Sequence, residues 1–242
     1  MLGKLLRTFG VGGATIDAVL ESDEVVVGET LRGEVQVKGG GADQSIRGVT
    51  FELITRCIVE TRGDEKVYAN LVLASGMIEL DRVRAGENLS AQIEIDVPAH
   101  APISIGSTST FLRTRLNVAG AADPKDMDVI QLRPTAAMLA VLRGMEQAGF
   151  SLAETEVEHN PHRPNPFVQE FDFRPRSARD YGVEEVEISF SPIPGGVEVL
   201  LTVDNRGGFF TSGRERSTRF RVTDATRLDM AAELWKAIDA LR

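Results

Sequence analysis

The sequence predicts a mainly β protein: two antiparallel β-sandwich domains, a helix linking them and a helix closing the chain. Three observations predict it. Apolar residues recur at every second position along most of the chain, the period of strands with one buried face and one wet face. Turn-forming glycines, prolines and acids interrupt these runs at short spacing, with no interleaved helices. The helical period surfaces in two interior or C-terminal stretches, after Pro134 and near the C-terminus.

The N-terminal sandwich is placed at residues 1–133. Leu31, Gly33, Val35 and Val37 share one strand face, opposite Arg32, Glu34, Gln36 and Lys38. Leu89, Ala91, Ile93, Ile95 and Val97 repeat the pattern. Val49, Phe51, Leu53, Thr55, Cys57 and Val59 form a longer run whose other face carries Ile54 and Ile58, so it reads as a central strand covered in part on both sides. Val27-Gly28-Glu29, Gly39-Gly40-Gly41, Ala85-Gly86-Glu87 and Val97-Pro98 supply the turns. The linking helix occupies residues 134–149. Thr135 caps it, Met138, Leu142 and Met145 form its apolar stripe, and Gly149 ends it in the left-handed conformation. The C-terminal β-rich domain takes residues 150–242. Its inward faces are read as Phe167, Phe171 and Phe173; Val186, Ile188 and Phe190; Val197, Val199, Leu201 and Val203; and Thr218, Phe220 and Val222. Pro194-Gly195-Gly196 marks a hairpin. A closing helix is expected from near Asp224, with Leu228, Ala231, Trp235 and Ile238 on one stripe.

Composition narrows the function. The 242 residues carry 36 acids against 27 bases, a formal charge of −9, which argues against non-specific nucleic-acid binding. Cys57 is the one cysteine, so neither an intrachain disulfide nor a cysteine-rich zinc module is expected. No apolar run approaches the roughly 20 residues of a membrane span, and Met1–Leu20 lacks the features of a secretory signal. A cytoplasmic location is the expectation.

Val27-Gly28-Glu29-Thr30-Leu31-Arg32-Gly33-Glu34-Val35 resembles the opening strand–turn–strand of arrestin-like domains. The passage from Ile95 to Gly106, with Pro98 and Pro102, resembles a later strand–proline–proline–glycine segment of that family. Ala122-Asp123-Pro124-Lys125-Asp126, Ile130–Thr135, Pro166–Phe171 and Asp204–Phe209 resemble its bacterial sporulation-control branch. The resemblance spans nearly the whole chain. It implies arrestin-like sandwiches and a non-enzymatic regulatory adaptor or scaffold that works through protein contacts, with cell-division or cytoskeletal proteins as partners. No residue matches by motif the charged polar core of animal arrestins. The rival reading is a β-sandwich module that binds a carbohydrate or small metabolite. One tryptophan and two tyrosines are a thin supply of aromatic platforms for it.

No catalytic, cofactor or metal residue is assigned. His159-Asn160-Pro161-His162 lacks further ligands and a rigid element. Asp123, Asp126 and Asp128 lack the glycine and terminal glutamate of a calcium loop and read as a solvated turn. Cys57 lies on an apolar strand face and reads as an inert buried thiol. Gly10–Gly13 has no Walker lysine, and G-x-S-x-G does not occur. Two segments remain as partner surfaces. Arg206–Arg216 combines turn glycines with Phe209 and Phe210 as apolar anchors and Arg214 and Arg216 as charges. Leu2, Leu5, Leu6 and Phe9 can stripe a short N-terminal helix. Self-association into a homo-oligomer is a further option for such surfaces.

Overall fold

The structure, a computed structural model, describes residues 13–63, 65–120, 122–160, 165–177, 182–205, 215–223 and 229–242. They form two compact units. The first takes the described residues up to Arg56, then Asn70–Ser104 and Ser109–Arg133. The second takes Cys57–Ala69, Ile105–Thr108 and the described residues from Pro134 onward.

The first unit is built from β1 (Thr15–Leu20), β2 (Glu24–Val26), β3 (Thr30–Lys38), β4 (Gln44–Arg62), β5 (Glu65–Ile78), β6 (Arg82–Val83), β7 (Asn88–Asp96), β8 (Thr110–Val118) and β9 (Lys125–Arg133). The far end of β4 and the start of β5 belong to the second unit. One sheet has the order β1-β3-β7, antiparallel, with Ala18 opposite Val35 and Val35 opposite Ala91. The other has the order β4-β8-β9-β2, with β5 and β6 also paired to β4 and with β2 parallel to β9. The alternation in β3 does what its pattern predicts: Leu31, Gly33, Val35 and Val37 are buried while Arg32, Gln36 and Lys38 are exposed. Ile16, Ala18, Ile93 and Ile95 join them in the core, with Val49, Phe51, Leu53, Leu112, Leu116, Ile130 and Leu132 from the other sheet.

β4 carries buried residues on both faces as far as Ile58, but Val59 is 42% exposed. The apolar alternation runs one residue further than the burial. β5 is a strand that the sequence does not announce. None of its residues is buried, and Tyr68, Val72 and Met77 are about half exposed. With no face against a core, alternation has nothing to report. Gly76 fits β5 to β4, because the Phe51 ring occupies the space a Cβ there would need.

The second unit adds α1 (Ala136–Gln147), β10 (Phe150–His159), β11 (Phe167–Pro175), β12 (Val183–Ile193), β13 (Gly196–Asn205), β14 (Glu215–Thr223) and α2 (Met230–Asp239). β10 to β14 form an antiparallel sheet in chain order, and the end of β4 lies parallel to β10 through Ile58 and Glu158. Thr135 caps α1 by accepting from the Met138 amide at 3.3 Å. Gly149 ends it at φ +92°, a conformation only glycine adopts without strain. Met138, Leu142 and Met145 are buried, with Val141 and Gly144 between them.

α2 starts later than the sequence predicts: Asp229 caps it, accepting from the Ala232 amide at 3.2 Å. Its buried line is Met230, Leu234 and Ile238, an i, i+4, i+8 set. Trp235 is half-buried beside that line, its ring 5.6 Å from the Phe150 ring. Asp224 and Leu228 lie outside the described residues. Phe171, Phe173, Val186, Ile188, Val199, Leu201, Val203 and Val222 are buried under the helices and their neighbours. Phe220 is only half-buried, because β14 is the edge strand of the sheet.

Candidate interaction surfaces

Over β10, β11 and β12 the outer face of the second unit's sheet is acidic. Register alone creates this. Glu154 of β10 stands opposite Asp172 of β11, which stands opposite Glu187 of β12. Glu156 stands opposite Glu170 on the next rung. Cross-strand neighbours are about 5 Å apart, so like charges placed this way repel. The Asp172 carboxyl records the repulsion. Burial first, then Glu185, Glu187, Glu154 and Glu156, push it up to about 6. Lys66 at the start of β5 offsets part of it, bonding Glu156 and lying 3.5 Å from Glu154. The hydrogen bond to Glu156 holds the Lys66 ammonium charged above its ordinary range. Arg174 pairs with Glu185 at 2.8 Å at the margin. A face like this, carried on rigid strands, attracts and orients a basic partner, and salt weakens its reach.

The outer face of β1-β3-β7 is also polar but carries both charges. A groove of about 530 Å³ lies at the sheet end where Thr15, Lys38 and Asn88 pair, beside Pro124 and Lys125, with Asp17 and Glu34 also in its lining. Among the described residues no aromatic side chain lines it.

Most of the partner residues expected from sequence fall elsewhere. Leu2, Leu5, Leu6, Phe9, Phe209, Phe210 and Arg214 lie outside the described residues. Arg216 is described: it is exposed on β14, and its guanidinium donates to the Arg242 carbonyl at 3.2 Å. Cys57 is buried. Desolvation first, and then Glu158, push its thiol up to about 11, the opposite of a reactive nucleophile. His159 is exposed at the end of β10, and His162 lies outside the described residues. Among the described residues no three histidine, cysteine or acidic side chains are placed to hold a metal ion. Among the described residues no helix is long and apolar enough to cross a membrane.

The reading of Asp123, Asp126 and Asp128 as one solvated turn is corrected. Asp123 does serve a turn, its Oδ1 accepting from the Val118 amide at 2.9 Å. Asp126 and Asp128 instead lie in β9, on the same face as the buried Ile130 and Leu132. The signal was in the sequence: the inward parity of Leu132 and Ile130 continues back through Asp128 and Asp126. Polar residue type masked it.

The chain's likeness to known proteins bears on what these surfaces serve. The family model described as Spo0M, SpoOM protein, matches residues 2–207. The sporulation-control protein spo0M of Bacillus subtilis (strain 168) is 31% identical over 206 residues, covering 84% of this chain and 80% of that protein. The crystal structure of Spo0M from Bacillus subtilis superposes with a TM-score of 0.82 at 28% identity, covering 95% of this chain and 99% of that one. By sequence along most of its length, and by a shared mainly β fold, this chain belongs to the SpoOM protein family.

Proposed function

We propose that this protein is a non-enzymatic regulatory adaptor of the sporulation-control type, acting in the cytoplasm through contacts with protein partners. The observation that carries this reading is the acidic outer face of β10-β11-β12, in which strand pairing concentrates Glu154, Glu156, Glu170, Asp172 and Glu187. Crowding like charges costs stability. A fold keeps such a cost where the field itself is used, here to draw in and orient a basic surface on a partner. Family membership supports the regulatory part, since the Bacillus subtilis relative is named for sporulation control. Cell-division or cytoskeletal proteins are the partner class we favour. The segment with Phe209, Phe210, Arg214 and Arg216 and the stripe of Leu2, Leu5, Leu6 and Phe9 are proposed as further contact points.

The test is capture of partners from native cytoplasm with the full chain, read by mass spectrometry, alongside Glu154→Gln/Glu187→Gln. The reading expects partners that the parent holds in low salt, loses in high salt, and loses in large part when the face is neutralised. A parent that captures nothing sinks the adaptor reading. A neutralised variant that captures the same set sinks the acidic face. Phe209→Ser/Phe210→Ser tests the segment in the same assay, with the melting temperature as the control for folding.

A further inference from the structure

β1 is an edge strand, and the edge it turns away from β3 is held by a side chain. The Ala18 amide donates to Asp126 Oδ2 at 3.1 Å. Asp126 is not alone. Asp128, two residues on and on the same inward face of β9, is its neighbour, and one oxygen of Asp128 is buried without a partner among the described residues. Directly opposite Asp126 in register is Thr114 of β8, fully buried, its hydroxyl also without a partner. Two carboxyls side by side on a half-buried strand face, one with an oxygen shut away from water and donors, favour sharing a proton over carrying two charges. Two adjacent negative charges with poor solvation are too costly to coexist.

We propose that Asp126 and Asp128 share one proton and that this proton is a latch: while it is present Asp126 holds the edge of β1, and its loss frees that edge. The charges around the pair favour this direction. β1 brings Asp17, a third negative charge. The inward face of β8 brings Thr110, Leu112, Thr114 and Leu116, none of them charged. The arginines of β8 point to the other face, where Arg113 is paired with Glu52 at 2.7 Å. Lys125 of β9 is on the exposed side of that strand. β2 brings Glu24, already paired with Arg133 at 2.6 Å. Among the described residues, the charges that act on Asp128 are negative. Burial, then Asp126, then Asp17, push Asp128 up to about 7, which sets the switching range near neutrality. Deprotonation removes the O–H that Asp126 accepts and puts a like charge beside it. Asp126 then turns toward water and the Ala18 amide loses its acceptor.

The test is amide hydrogen exchange on the full chain, at about pH 6 and about pH 8, each amide corrected for its intrinsic exchange rate. In the parent, protection of Ala18 and its β1 neighbours should fall relative to the amides of β3 and β7, by up to about tenfold per pH unit above the switching point. In Asp128→Asn the side-chain amide donates to Asp126 at every pH, so β1 protection should stay high and flat. Thr114→Val makes the surroundings more apolar and should move the fall to higher pH. A parent whose relative β1 protection is the same at both values overturns the latch, and so does an Asp128→Asn variant that loses protection in parallel with the parent. Carboxyl ¹³C shifts give a second measurement independent of any variant. One of the two carboxyls should titrate near neutrality, and two that both titrate in the ordinary aspartate range overturn the shared proton.

Discussion

Gly144 of α1 packs directly against Leu234 of α2: a Cβ on Gly144 would stand 2.8 Å from Leu234 Cδ1 and 2.7 Å from Met230 Cγ. The glycine is therefore a packing residue, the point at which one helix lies on the other. Helix propensity alone favours replacing it, by about 1 kcal/mol for alanine. Overpacking opposes replacement by about 1–3 kcal/mol. Gly144→Ala should thus come out near neutral or mildly destabilising, whereas Gly144→Leu should lose about 1–3 kcal/mol in urea unfolding. A leucine variant as stable as the parent would show that the helices can move apart freely.

Phe171 anchors the second unit's core. It is buried on β11 and meets the Phe190 ring edge-on at 5.4 Å. Phe171→Ala should cost about 3–5 kcal/mol, from lost transfer energy and the cavity left behind. A loss below about 1 kcal/mol would mean that the sheet face collapses onto the space without penalty.

The stability contributed by two raised carboxyls should fall as pH rises from acid toward neutral. Asp172 and Asp128 are both raised in the folded chain, to about 6 and about 7, from an unfolded value near 3.8. Each holds a proton when folded that it releases when unfolded. Its contribution is complete below the unfolded pKa and is lost as pH passes the folded one. Asp172→Asn should remove the part of the decline that ends near pH 6, and Asp128→Asn the part that extends to about 7. Urea midpoints measured across the range separate the two, and parallel profiles for parent and both variants would refute the assignment.

Cys57 should be almost inert to thiol reagents in the folded chain, since its thiol is buried and pushed up to about 11. At mildly alkaline pH, labelling should be slow in buffer and fast in urea, at a rate set by opening of the strand. Rapid stoichiometric labelling of the native chain would place the thiol at the surface.

Partner contacts make a different demand from stability. Neutralising Glu154 and Glu187 should leave the chain at least as stable as the parent, because it removes repulsion on both sides of Asp172. It should also bring the Asp172 pKa down toward the ordinary carboxylate range, a change that ¹³C titration can follow. An unmoved Asp172 would mean that burial alone raises it.

Local pattern was enough for the features that depend on one strand or one helix. The alternation of Leu31, Gly33, Val35 and Val37, the Thr135 cap, the Met138–Leu142–Met145 stripe and the stop at Gly149 are all readable along the chain, because each reports a buried face or a backbone geometry that neighbouring residues impose. Tertiary pairing decided the rest. β5 has no buried face and so left no periodic trace. Phe220 alternates like a core residue but sits on an edge strand. Asp126 and Asp128 look like turn residues until β9 continues inward through them. The acidic face exists only because register sets Glu154, Asp172 and Glu187 side by side from three strands. Composition predicts an acidic chain, but long-range hydrogen bonding chooses which acids become neighbours, and no local pattern encodes that choice.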